Sequence, residues 1–396
     1  MDPIRNPFAP GAGSAPPELA GRDALRQAVH VAIERTRAGK SARSLMIVGL
    51  RGVGKTVLLD CMRNDAEASG VHTLRIEAPE VRSLPALLAP QLRVALLRLS
   101  KLAHAKELAV RGLRALAGFA KALKATYGDI DVGLDYEGEP GLADNGDLEH
   151  DLQDLLESAG AAAKAARTVL VIFVDELQHV PESQLDALIA AMHRCAQRKV
   201  PVLLVGAGLP QLRGRMGDAR SYAERLFEFT EIGPLSHDAA VRAITKPVED
   251  EGAKITPDAV ERILAATRCY PYFLQEWGQR SWAAADVSPI ETDDVERATT
   301  MAVAALDESF FRVRFDRLTH QERRYLRAMA ALGPGPHRSG AIADCLHREV
   351  SSLGPVRSSL IGKGMIWSPG HGDTAFTAPL FDEFMQRIMP SQDWRA

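Results

Sequence analysis

Between residues 23 and 37, Leu25, Val29 and Ile33 recur every four positions, which predicts an amphipathic helix. The apolar run 44–48 predicts a strand, and a glycine-rich segment, 49–55, follows it directly. Residues 56–64 read as a helix and 72–78 as a second strand. From 84 to 124 the chain is rich in Ala and Leu and helical throughout. Glycines and prolines interrupt this pattern over 128–146 and predict a loop or a β-hairpin excursion. Helix resumes at Asp147 and ends near Gly160. Residues 168–174 form a continuous β-branched and aromatic run, the signature of a parallel strand buried on both faces. A helix at 182–197 and strands at 200–206 and 227–232 complete the alternation. The pattern predicts an α/β fold with a doubly wound parallel sheet.

After residue 235 the strand pattern stops. Helices are predicted at 237–250, 257–267, 271–286 and 292–315, making an all-helical lid. Three more helices, 320–332, 340–346 and 352–363, precede two short apolar segments, 365–369 and 374–378. That is the layout of a winged helix-turn-helix. The expected organisation is a lead-in at 1–17 and an α/β core at 18–235 with a helical and acidic insertion at about 84–146. A helical lid at 236–316 and a winged-helix domain at 317–390 follow.

A length of 396 residues suits two or three domains, and 46% hydrophobic with 25% charged residues is ordinary for folded cores. A formal net charge of −3 gives no whole-chain pull towards nucleic acid or an anionic membrane. Any basic footprint must be local. Arg93, Arg98, Lys101, Lys106, Arg111, Arg114, Lys121 and Lys124 form one such stripe, opposed within it by Glu107 alone. It is either a surface for a nucleic-acid backbone or a solvated face neutralised by the acidic segment 129–157. Cys61, Cys195, Cys269 and Cys345 lie far apart, without the paired spacing of a zinc site or redox dithiol. No apolar run reaches membrane-spanning length, and 1–17 lacks a signal-peptide core. A soluble cytoplasmic protein is expected.

The chemistry concentrates in two segments. Gly49-Leu50-Arg51-Gly52-Val53-Gly54-Lys55-Thr56 fits the Walker A pattern GxxxxGK[ST] without a mismatch, between a strand and a helix. Glycines let the loop wrap phosphate oxygens with inward-pointing amides, and the helix beginning Thr56-Val57 brings its positive end to the same point. Lys55 would meet the β- and γ-phosphates, and Thr56 would give its hydroxyl to magnesium. The apolar strand ending Asp175-Glu176 is the matching Walker B segment. Asp175 would hold the magnesium through water, and Glu176 would orient or deprotonate the attacking water. The bland alternative is an Asp-Glu pair capping a helix.

On these motifs the chain resembles AAA+ and STAND-type ATPases, nearest the bacterial and archaeal relatives of the origin-recognition initiator ATPases, over about residues 17–390. The resemblance implies ATP as the nucleotide, magnesium as cofactor and a homo-oligomer. Leu19-Ala20-Gly21-Arg22-Asp23 resembles the segment that precedes Walker A in this group, with Asp for the usual Glu, and would set Gly21 and Arg22 near the adenine or ribose. Arg225 is the candidate arginine finger and Arg220 the second choice. The alternative is a surface arginine paired with Glu224 or Glu228. In the lid, Arg268-Cys269-Tyr270-Pro271 stands where relatives carry Gly-x-Pro against the adenine, with Cys269 replacing the glycine. Pro271 would touch the nucleotide; Arg268 is either a second sensor or a solvated helix end. The sensor strand usually ends in a polar side chain, but Val205-Gly206-Ala207-Gly208 offers only backbone. Hydrolysis is therefore expected to be slow or to await completion by a partner. Two roles follow for the C-terminal module. It holds DNA through Ser351, Ser352, Arg357, Ser358, Ser359 and Lys363 on its third helix, or it docks protein in a nucleotide-switched scaffold.

Overall fold

A computed structural model describes the chain except residues 12, 79–81, 128–129, 131–132, 134–135, 392–393 and 395–396. The chain divides into two units, one of Arg22–Val48 and Lys55–Glu231, the other of Met1–Gly21, Gly49–Gly54 and Ile232–Ala396.

In the first unit the elements run α1 (Asp23–Arg37), β1 (Ser44–Val48), α2 (Lys55–Ala68), β2 (His72–Glu77), α3 (Leu84–Ser100), α4 (Lys106–Tyr127) and α5 (Leu148–Ala165). Then come β3 (Leu170–Asp175), a 3-10 turn (Leu177–His179), α6 (Glu182–Gln197), β4 (Val202–Gly208), α7 (Leu212–Ala219), α8 (Ala223–Leu226) and β5 (Phe227–Glu231). The five strands form one parallel sheet in the order β2-β3-β4-β1-β5. Every residue of β1, β3 and β4 is buried, which is why these strands read as unbroken apolar runs. Parallel pairing carries the C-terminal ends of β1, β3 and β4 to one edge, with Val48 opposite Gly208 and Val174 opposite Gly206. In open α/β sheets that edge is where ligands collect.

The helical stretch predicted for 84–124 breaks at 101–105 into α3 and α4. Ser83 caps α3 with Pro85 in its first turn, and Asp147 caps α5 by accepting from the His150 amide at 2.9 Å. The buried Asp151 accepts the amides of Asn145 and Gly146, each at 2.9 Å, and so closes the loop into α5. Among the described residues of 128–146 there is no strand, so the hairpin alternative is not realised there; part of that segment lies outside the described residues.

In the second unit, α9 (His237–Asp250), α10 (Pro257–Thr267), α11 (Pro271–Ala284) and α12 (Thr292–Leu306) are followed by a π-helical turn (Asp307–Phe311) and α13 (Arg312–Asp316). The chain continues through α14 (His320–Ala331), β6 (His337–Arg338), α15 (Ser339–Leu346), α16 (Val350–Gly362), β7 (Ile366–Trp367), β8 (Asp373–Phe376) and α17 (Phe381–Ile388). The short strands make an antiparallel sheet, β6-β8-β7. One apolar core runs from α9–α12 into α14–α17, with Phe311 stacked on Phe384 and edge-on to Phe381. The lead-in is tied down as well. The Asp2 carbonyl accepts from Trp282 Nε1 at 2.8 Å, and Phe8 is buried against Gly278, where a Cβ would stand 2.6 Å from its ring.

Candidate nucleotide site

Within the second unit, the loop Gly49–Gly54 has a shape that side chains would oppose. Gly52 and Gly54 adopt φ of +80° and +86°, the left-handed region where residues with a Cβ are strained. At Gly49 a Cβ would lie 2.3 Å from the Ile232 carbonyl oxygen, so only hydrogen fits. The Gly52 carbonyl accepts the Tyr272 amide at 3.0 Å, satisfying a donor that the first turn of α11 leaves open. The Arg51 amide donates to the Thr377 carbonyl at 2.9 Å. Leu50 and Arg51 are half-buried and Val53 is buried. Pro271 occupies the first position of α11, next to Tyr272. Cys269 takes φ +57°, the left-handed conformation a glycine would favour. Arg268 donates to Glu383 Oε1 at 2.5 Å and lies 3.8 Å from Asp382, an engagement that favours the helix-end alternative over a nucleotide sensor. Gly21 also has positive φ, +69°, with the Ala239 methyl 3.0 Å from where its Cβ would stand.

Within the first unit, Lys55 opens α2 and is buried, while Thr56 and Val57 are half-buried on the same turn. A helix N-terminus with an ammonium group beside it favours an anion. Asp175, only 1% exposed, closes β3 at the same sheet edge that β1 reaches. Its carboxylate has a cationic neighbour in Arg75 on β2, whose guanidinium bonds Asp60 Oδ1 at 2.8 Å and reaches Asp175 Oδ2 at 3.4 Å. One hydroxyl and one carboxylate suit magnesium, which keeps most of its waters and takes phosphate oxygens rather than a full protein cage. Arg22 is half-buried before α1, and that burial lowers its guanidinium pKa from the ordinary value.

Glu176 does not act as a helix N-cap through its side chain; the capping alternative for this residue is not realised. It takes left-handed backbone, φ +53° and ψ 37°, a conformation that costs about 1–3 kcal/mol in a non-glycine residue. Such strain is tolerated where it aims a side chain. Gln178 Nε2 donates to Glu176 Oε2, and His179 Nε2 stands 3.6 Å from the same oxygen. Gln178 Oε1 in turn accepts the Leu209 amide at 3.0 Å, beyond the end of β4. The two glycines at the end of β4, Gly206 and Gly208, have a physical reason. A Cβ at Gly206 would meet Leu177 at 2.3 Å, and one at Gly208 would meet Gln178 Oε1 at 2.8 Å. The turn after β3 fills the space beside Gly206 and Gly208, and it brings the carboxamide of Gln178. The sequence signal for Gln178 is faint, a carboxamide two residues after the acidic pair. Arg215 on α7 carries no sequence signal for a role here, yet its guanidinium holds the carbonyls of Gln178 and, at 2.8 Å, Val180.

The two arginines considered for the finger differ. Arg220 is bound inside its own unit by Asp186 and Glu149, at 2.5 and 2.6 Å. Arg225, on α8 beside the edge strand β5, is exposed and has no ion pair among the described residues. Glu228, its suggested partner, pairs with Arg43 at 3.2 Å.

On α16, Arg357 donates to Thr374 Oγ1, Ser368 Oγ and the Asp373 carbonyl. Lys363 and Ser359 both bind Glu322, at 2.7 Å each. On the basic stripe, Arg111 pairs with Glu139 and Arg93 reaches the Gly133 carbonyl, each at 3.2 Å.

A parallel five-stranded sheet with a glycine loop after β1 and an acidic end to β3 defines a P-loop nucleoside-triphosphatase core. Residues 18–205 match the family described as AAA ATPase domain, and residues 308–385 match a domain of unknown function (DUF8462). No curated protein matches the chain at a significant level. Among solved structures, the chain is similar to the Walker-type ATPase PABY2304 of Pyrococcus abyssi. That likeness has 14% identity over 93% of this chain and 96% of that one, with a TM-score of 0.59, and it shows a shared fold. The RuvB Holliday junction branch migration motor of Thermotoga maritima shares 15% identity over 94% and 96% of the two chains, with a TM-score of 0.44. The Orc1 protein of Aeropyrum pernix, solved in complex with DNA, shares 17% over 94% of each, with a TM-score of 0.45. The domain match and the core together support an AAA+ P-loop ATPase. Among the described residues no helix is long and apolar enough to cross a membrane.

Proposed function

We propose that this chain binds MgATP, hydrolyses it, and couples the cycle to a change of conformation or assembly. The observation that carries the reading is the buried Lys55 at the start of α2, with Asp175 ending β3 at the same sheet edge and Glu176 directly after it. The amides from Gly49 to Val57 wrap the phosphates, with Lys55 neutralising β- and γ-oxygens. Gly21, Arg22 and Pro271 border the base and ribose. Magnesium, held by Thr56 and through water by Asp175, would offset charge on the leaving phosphate. Glu176 turns a water towards the γ-phosphorus and takes up its proton while the bond to the β–γ bridging oxygen breaks. Arg225 completes the site of a neighbouring copy in a homo-oligomer, where charge grows on the γ-oxygens. Glu176→Gln is expected to keep MgATP affinity in calorimetry and lose turnover by about 10²–10⁴-fold. Unchanged turnover removes Glu176 as the base.

The C-terminal helices and hairpin are read as a winged helix. Its partner is protein rather than DNA, because Arg357 and Lys363, basic groups of the third helix and its C-terminal cap, are spent on the hairpin and on Glu322. DNA contact through that helix is the second reading. A gel shift across salt concentrations, with and without ATP, separates them: salt-sensitive binding supports DNA, and no shift at low salt removes it.

A further inference from the structure

Resting on the hydrolytic role given to Glu176, we propose that Gln178 is a positioning residue for that carboxylate, and that it supplies from the turn after β3 what β4 lacks. Three observations converge on it. Its amide donates to Glu176 Oε2, and its carbonyl oxygen is fixed by the Leu209 amide at 3.0 Å. Its main-chain carbonyl is held by the Arg215 guanidinium. The neighbouring strand is bare where these groups press on it, since a Cβ at Gly206 or Gly208 would collide with Leu177 or with Gln178 itself. A carboxamide is the side chain this position needs. Its NH₂ end must face a carboxylate and its oxygen must face a backbone amide, so both ends of one rigid plane are satisfied.

The consequence is directional. Glu176 sits on left-handed backbone, and its rotamer is held by a bond anchored outside its own turn. The carboxylate orientation is therefore linked to the start of the β4–α7 connection, through Leu209, and to α7, through Arg215. A shift of that connection turns the base towards or away from the attacking water. Hydrolysis can then change while nucleotide binding does not.

The test compares Gln178→Met, which keeps the shape and removes both bonds, with Gln178→Glu, which keeps the acceptor for Leu209 and sets a like charge beside Glu176. Gln178→Met is expected to lower kcat about 10- to 100-fold, as loss of an orienting partner does, with KM, MgATP affinity and melting temperature unchanged. Gln178→Glu replaces the donor to Glu176 by a like charge and is expected to lower kcat at least as far, again with KM and MgATP affinity unchanged. A merely structural role would lower the melting temperature and leave the kcat of the folded protein in place. Wild-type kcat in either Gln178→Met or Gln178→Glu overturns the proposal. Glu176→Gln run alongside tells the two failures apart. If it is inactive while Gln178→Met turns over normally, only the positioning role falls. If it hydrolyses at the wild-type rate, the role of Glu176 falls and this proposal with it.

Discussion

Alanine at Gly49 and at Gly54 separates two costs that the phosphate loop combines. At Gly54 nothing lies within 4 Å of an added Cβ, so the penalty is conformational alone: φ +86° in a residue with a side chain. Left-handed backbone costs roughly 1–2 kcal/mol in an L-residue. If the loop holds its shape without nucleotide, that cost lowers stability. If it relaxes, the cost is met on binding, and 1–2 kcal/mol weakens MgATP by about 5- to 30-fold. At Gly49 the φ is ordinary, but the added carbon would lie 2.3 Å from the Ile232 carbonyl oxygen. A contact that short cannot be held, and the obstacle is backbone rather than a pliable side chain. The loop must move, and its amides with it. Gly49→Ala is expected to weaken MgATP by more than Gly54→Ala does. Calorimetry with MgATP and thermal melting of both variants measure the two quantities. A Gly49→Ala protein with wild-type affinity and wild-type melting temperature would refute the close approach on which this reasoning stands.

Lys55→Ala should abolish the thermal shift produced by MgATP, since it removes the ammonium group at the helix start. Arg225→Ala should leave nucleotide affinity intact and reduce hydrolysis only at concentrations where the chain self-associates; a concentration-independent loss would mean action within one subunit. Arg220→Ala should instead change stability by no more than about 1 kcal/mol, because its ion pairs with Asp186 and Glu149 are partly solvated. Burial opposes ionisation of Glu322, but bonds from Lys363, the Thr319 amide and Ser359 outweigh it and hold the carboxyl below its ordinary range. Its contribution to stability is therefore present above the unfolded-state pKa and lost as pH falls through the lower folded value. Glu322→Gln should flatten that acid dependence in melting curves, and an unchanged slope would show the bonds are not made.

Strands β1, β3 and β4 were legible because burial on both faces leaves little but apolar residues, and the glycine loop because phosphate wrapping demands its composition. The break at 101–105 was not, since Ala and Leu continue on both sides and register no interruption in pattern. Strand β6 is two residues long and α7 carries Gly214 and Gly217, so neither offers a periodic signal. Helix α17 went unpredicted because its eight residues follow directly on the hairpin. At the site, the residue types of both Walker segments were readable, whereas the work of Gln178 was not. Its two bonds depend on β4 lying beside β3, which no local spacing encodes. The bare Gly206-Ala207-Gly208 looked like a missing function, and it is the clearance for a neighbouring turn.

The core shared by α9–α12 and α14–α17 bears on how the protein can be dissected. Cutting the chain after Asp316 would strip Phe381 and Phe384 from Phe311, leave Trp277 and its neighbours with half a core, and deprive the Arg51 amide of its acceptor at Thr377. A fragment ending there would fail through exposed aromatic surface before its nucleotide chemistry could be assayed. Point substitutions in the intact chain are the way to separate what the tail does from what the loop does.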